Sequence, residues 1–411
     1  MIRINVSSFI LLNCSVIIFL MLKRILLYFT RYQTVPGLIR RSLVPGTVIF
    51  LVLLTTFILW FPFLFRFENW FGLRIENSNM EYVYKHYDGP LYIVPAKTFY
   101  DPAKIEKLNT DIKFPAKYFA AHFPLYPLLM KTVSPILGNL KAMIGVNLLF
   151  TVLLAMLFYY FLKIFKLSQK PLLLVFVFLM LPRFLVVRSI GAPESLFMFL
   201  TLLSIILFEK EKFLFAGIAG GLATMTKSPG MLLFAAYVLV LAEKYLKTRN
   251  FNWKWLSILM IPLGLLLVFI IYGIQYKDFF AYFHSGDNIH LAFPFSVFNF
   301  QKNWVGTAWL EDILFYFFLY LFTVIQFKDS KYRSLFYYSL VFFIATTFVQ
   351  HRDISRYSLP LWPLACISFE KFFTSKKFLI ALIILLPAIY MYGWNFMVYN
   401  IMPIGEWMPF L

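Results

Sequence analysis

The chain has 411 residues, of which 61% are hydrophobic and only 14% charged. Soluble domains carry about 25% charged residues, so the composition excludes a soluble globular protein. The net charge of +19 lies in short basic clusters between apolar runs, which argues against nucleic-acid binding and for basic loops beside anionic lipid headgroups.

Apolar runs near the roughly 20 residues needed to cross a hydrocarbon core mark the expected spans. The first is 8–22. It reads as a signal-anchor, because no small-residue cleavage motif follows it. Lys23, Arg24, Arg31, Arg40 and Arg41 come next and assign residues up to 42 to a cytoplasmic loop. The run 43–65 crosses outward, and 66–141 forms a large extracytoplasmic loop. Residues 142–162 return to Lys163, Lys166 and Lys170. The run 171–187 is interrupted by Arg183, and its helix is expected to end or tilt near Pro182. A short outer turn, 188–194, leads to 195–208, and Lys210 and Lys212 follow inside. Further spans are expected at 213–225, 231–242, 255–276, 313–327, 335–350, 357–369 and 378–394. Outer turns fall at 226–230 and 351–356, with a second outer loop at 277–311. The expected fold is an all-α polytopic membrane protein of about eleven or twelve spans. Residues 43–396 form one transmembrane domain, and 397–411 an extracytoplasmic tail. Cys14 and Cys366 both lie in apolar runs and support neither a disulfide framework nor a metal site.

This topology places the unusual polar residues on the outer side: Asp88, Asp101, His122, Glu194, Lys227, His351, Arg352, Asp353 and Arg356. Polar groups near a bilayer are costly and tend to be functional or tightly paired. Asp88 precedes Gly89-Pro90, a turn signal that would fix the direction of a carboxylate. Such an acid can take a proton from an acceptor hydroxyl or hold a metal against a phosphate; an Asp that merely opens a turn is the plainer alternative. Asp101, before Pro102, reads more as a turn residue and stays as a second acid. His122-Phe123-Pro124-Leu125-Tyr126-Pro127 is a shaped aromatic segment, either walling a sugar or prenyl site through Phe123 and Tyr126 or forming an interfacial belt. Glu194 follows Pro193 and either caps a helix or belongs to a site. Lys227 either contacts a phosphate or snorkels. Arg352 and Arg356, with His351 beside them, can grip phosphate oxygens; an Arg352–Asp353 structural pair competes with that reading.

Taken in order, several stretches resemble the PIG-V mannosyltransferase family of the GT-C superfamily. They are Tyr87-Asp88-Gly89 with Tyr92, Phe123-Pro-Leu-Tyr-Pro-Leu128, Pro193-Glu-Ser-Leu-Phe197, Gly217–Gly230 and Arg356-Tyr-Ser-Leu-Pro360. Tyr87 stands where the family usually has Trp, and Lys227 where Arg is common. The resemblance covers roughly residues 43–370. It implies a GT-C-type bundle whose first extracytoplasmic loop carries short interfacial helices and the catalytic acid, mapped onto Asp88. The later acid maps onto Glu194. It also implies a polyprenyl-phosphate-linked sugar donor, mannose first among sugars, and a glycolipid or glycan acceptor. The other side chains named above, with Tyr87 and Tyr92, would line the substrate. A divalent cation is compatible with this chemistry but not required by it, and no metal ligand set is recognised. The lack of a retention signal and the compact size point to a prokaryotic plasma membrane more than to the endoplasmic reticulum. A flippase or transporter of lipid-linked glycans, or a ligase, is the alternative.

Overall fold

The computed structural model describes residues 37–86, 88–108, 113–287, 289, 291–299 and 310–411. The expected first span at 8–22 and the site residue Tyr87 lie outside the described residues. Of the described residues 73% are helical, in keeping with the all-α expectation. Among the described residues the sheet content is one hairpin, Asn69–Trp70 against Leu73–Arg74.

Among the described residues five helices are long and apolar enough to cross a membrane: Leu43–Leu64, Asn139–Ile164, Ser228–Thr248, Trp253–Tyr276 and Lys376–Tyr399. The protein is therefore a membrane protein. Other expected spans are shorter helices: Glu194–Glu209 with 16 residues, Phe213–Thr226 with 14, Glu311–Phe327 with 17 and Arg333–Thr347 with 15. At 1.5 Å per residue these reach roughly 21–26 Å, less than a hydrocarbon core of about 30 Å. The run 171–187 divides into Pro171–Leu179 and Pro182–Val187, as a proline without an N–H requires. The expected span 357–369 is not one helix. It divides into a single 3-10 turn, Leu359–Leu361, and a short α-helix, Trp362–Ser368, each with a proline, Pro360 or Pro363, near its start.

The Phe213–Thr226 helix packs tightly against its neighbour because glycines line the contact. A Cβ on Gly217 would stand 2.1 Å from Ser257 O, one on Gly221 2.5 Å from Met260 O, and one on Gly264 2.3 Å from Gly221 O. Where lipid surrounds the bundle, this close approach of backbones is a main source of helix–helix attraction.

Residues 188–193, part of the short turn expected at 188–194, form the non-helical link between Pro182–Val187 and Glu194–Glu209. All of them are buried, which the sequence did not reveal. The Arg188 guanidinium is fully enclosed and donates to Thr55 Oγ1 at 2.7 Å and Thr56 Oγ1 at 2.8 Å on the first helix. Irregular backbone within a bundle needs partners for its carbonyls. Asn147 Nδ2 supplies them to Val187 O at 2.8 Å and Ile190 O at 2.7 Å, and Trp60 Nε1 donates to Ser189 O at 2.8 Å. This pinned stretch runs directly into Glu194.

The tail also differs from expectation. The last long helix runs on to Tyr399, and the residues after it pack back on the first loop. Met402 N donates to Lys85 O at 2.7 Å, Lys97 Nζ donates to Pro409 O at 2.8 Å, and Phe410 is fully buried.

Candidate functional site

Two glycines bring the first loop to the pinned stretch. A Cβ on Gly89 would lie 3.2 Å from Gly191 O, and one on Gly191 would lie 2.3 Å from Met143 Sδ. Neither position tolerates a side chain without displacement, so the start of the Gly89–Thr98 helix sits directly against the approach to Glu194. Asp88 occupies the position before that helix, yet its carboxylate makes no capping hydrogen bond. It reaches outward instead and pairs with Arg356 Nη1.

Arg356 lies on the short helix Ile354–Tyr357 and holds a second acid: its Nε donates to Glu194 Oε1 at 2.7 Å. Lys227 Nζ donates to the same oxygen at 2.9 Å. Lys227 is extended, at φ −153° and ψ 140°, just beyond the Phe213–Thr226 helix, and its ammonium stands 6.0 Å from the Tyr357 ring centroid. Segments up to 268 residues apart thus contribute two carboxylates and two cations to one network. Side-chain exposure rises from 4% at Glu194 through 17% at Arg356 and 18% at Lys227 to 25% at Asp88. Glu194 is therefore the most enclosed member of the cluster and Asp88 the least.

The electrostatics follow from this packing. Burial pushes the Asp88 carboxyl up, but the charge and hydrogen bond of Arg356, with help from His122, outweigh it and hold the acid below its usual range. Asp88 is ionised at neutral pH. Burial lowers His122 to about 4 and His86 to about 3, so both imidazoles are neutral there. Tyr92 stands edge-on to His122, with ring centroids 4.7 Å apart, and edge-on to Tyr126 at 5.1 Å. Three buried atoms around the network, His86 Nδ1, His122 Nδ1 and Glu194 Oε2, have no hydrogen-bond partner among the described residues. Such unspent capacity is expensive in a fold and is usual where a polar ligand binds.

Four of the acids and bases expected from sequence therefore meet: Asp88, Glu194, Lys227 and Arg356, with Tyr92 and His122 against them. The other expected residues make different contacts. Asp101 caps the helix Pro102–Lys107, accepting from Ala103 N at 3.0 Å and Lys104 N at 3.3 Å. Phe123 packs in the core against Tyr282, centroids 5.1 Å apart, and Tyr126 OH donates to Met143 O at 2.6 Å. His351 and Arg352 are exposed, and His351 Nδ1 accepts from Asp353 N at 3.0 Å. The Asp353 carboxylate is taken by Arg183, a partnership 170 residues distant that the sequence did not reveal.

Asp287 was also missed. It stands at the solvent edge of the cluster, where crowding by surrounding atoms and then the like charge of Asp88 push its carboxyl up to about 6. Ser285-Gly286-Asp287 reads as an ordinary turn, and Gly286 indeed has a φ of +78°. Among the described residues no three His, Cys, Asp or Glu side chains come together as a metal ligand set, so no step through a metal is derived. No protein-family model matches the chain, and no curated protein matches it either.

Proposed function

We propose that the chain is a membrane glycosyltransferase of GT-C type. It moves a sugar, mannose by the resemblance, from a polyprenyl-phosphate donor to a glycolipid or glycan acceptor on the extracytoplasmic face of a prokaryotic plasma membrane. The observation that carries this reading is the ion network of Asp88, Arg356, Glu194 and Lys227, two acids and two cations assembled at one place from distant segments.

The chemistry needs an anion holder and a proton acceptor. Arg356 and Lys227 hold the donor phosphate, Arg356 through its planar fork. The acceptor hydroxyl oxygen attacks the anomeric carbon. The bond from that carbon to the phosphate oxygen breaks, and polyprenyl phosphate leaves with the electron pair. Its added negative charge is met by the two cations in a largely water-excluded setting. The hydroxyl proton passes to Asp88. A single displacement of this kind inverts the anomeric centre.

The Asp88–Arg356 pair has a consequence for the order of events. While Arg356 holds Asp88, the carboxylate is a weak base. A phosphate that draws Arg356 away weakens that hold, and the carboxyl moves back towards its usual range. Donor binding thereby makes Asp88 the better base.

The test is transfer by the detergent-purified protein from radiolabelled polyprenyl-phosphate mannose to a mixed pool of membrane glycolipids. Label appearing in an acceptor supports the reading. No transfer from any polyprenyl-phosphate sugar, together with movement of a lipid-linked glycan across liposomes, replaces the transferase with a flippase.

A further inference from the structure

We infer that Arg183 and Asp353 are a positioning pair that sets Arg356 in place for the donor phosphate; this rests on the proposed role of Arg356 as a phosphate holder. Two short segments meet here. One runs from Arg183 to Glu194 through the pinned residues 188–193. The other is the turn that carries Asp353 and Arg356. Two ion pairs of opposite polarity join them: Arg183 Nη2 with Asp353 Oδ2, and Glu194 Oε1 with Arg356 Nε at 2.7 Å. Each segment carries one charge of each sign. A slide that exchanged the partners would set Arg183 against Arg356 and Glu194 against Asp353, so like charges enforce one register.

Both ends of the Arg183–Asp353 pair are themselves fixed. Arg183 is 6% exposed and its guanidinium lies over the Phe396 ring, 4.2 Å from the centroid. Asp353 uses its other oxygen to accept from Ser355 Oγ at 3.2 Å. Ile354, fully buried, packs with Ile313 and Phe317, and Ser358 Oγ donates to Ile354 O at 2.6 Å. The Ile354–Tyr357 helix has only 4 residues, too few to hold a direction by its own hydrogen bonds. Its aim comes from what grips its ends. Asp353 grips the start, and Arg356 at the far side is left free to turn between Asp88, Glu194 and an incoming phosphate.

A positioning role is separated from a merely structural one by a double-mutant cycle. The probe is tritiated short-chain polyprenyl phosphate, bound at equilibrium to the full-length protein in detergent. Asp353→Asn, which keeps the shape and an oxygen for Arg183, is combined with Arg356→Gln. Asp353→Asn alone should weaken binding about tenfold, and less than about twofold once Arg356 is already Gln. In turnover the same single variant should raise the donor KM with a smaller change in kcat. Equal losses in both backgrounds would overturn the inference, since a structural lesion does not depend on Arg356. Arg183→Gln gives the same reading from the other end, should Asp353→Asn fail to fold. Coupled binding without sugar transfer in the wild type removes the transferase reading and leaves the positioning pair. Transfer with uncoupled losses does the reverse, and a wild type that binds no polyprenyl phosphate overturns both.

Discussion

The two ends of the Glu194–Glu209 helix use the same residue types in opposite ways. At the first end Glu194, 4% exposed, is shared by Arg356 and Lys227. Roughly 24 Å along the helix, Glu211 pairs with Lys244 at 2.7 Å while 67% and 44% exposed. Exposed pairs of this kind contribute about 0–1 kcal/mol, because water screens them. A buried pair gains little net stability over apolar packing, yet removing one partner strands a charge at a cost of about 3–5 kcal/mol. The buried cluster also leaves Glu194 Oε2 unpartnered among the described residues. Stability alone would not select such an arrangement, whereas binding a charged and hydroxylated ligand would.

The largest expected effect breaks the buried end. Arg356→Gln strands Asp88, leaves Glu194 with Lys227 alone, and should cost about 3–5 kcal/mol in detergent unfolding, along with all transfer activity. Next comes His122. Its folded value of about 4 lies below its ordinary 6.5, so the stability it contributes is present above pH 6.5 and lost as the pH falls through 4. His122→Phe, which keeps a ring beside Tyr92, should flatten the fall in unfolding midpoint over that range, by up to about 3 kcal/mol.

Asp88→Asn should cost less, about 2 kcal/mol, because the amide still accepts from Arg356. The Asp88 carboxyl is held below its ordinary 3.8, so its contribution is present above that pH and disappears as the pH falls further. The wild-type and Asp88→Asn unfolding midpoints should therefore differ at neutral pH and converge in acid. The smallest effect is at the exposed end. Glu211→Gln should stay within about 0.5 kcal/mol of the wild type and leave its pH profile unchanged. A loss at Glu211 as large as that at Arg356 would erase the distinction between the two ends.

The same contrast explains what could be read in advance. Asp88, Glu194, Lys227 and Arg356 stood out because each sits in a loop or turn between apolar runs, and a common outer side was expected from the alternation of basic loops. Their mutual contacts lay beyond reach: pairing across 268 or 162 residues leaves no local signature. For that reason Asp353 was set against its neighbour Arg352 and not against Arg183. Arg188 looked like a turn residue because its Thr55 and Thr56 partners lie on another helix. Asp101 looked like a turn residue and is one, since capping is a local bond visible in Asp-Pro. Long apolar runs such as 142–162 were legible as helices, whereas the breaks inside 357–369 follow from prolines that the hydropathy averaged over.

The central claim is that the Asp88 cluster is where the sugar moves. It is tested most directly by one transfer assay with radiolabelled polyprenyl-phosphate mannose, run side by side on wild type, Asp88→Asn and Glu211→Gln. Transfer by the wild type and Glu211→Gln, and its loss by at least about a hundredfold in Asp88→Asn, is the expected result. Equal transfer by all three would contradict it and remove Asp88 from the chemistry.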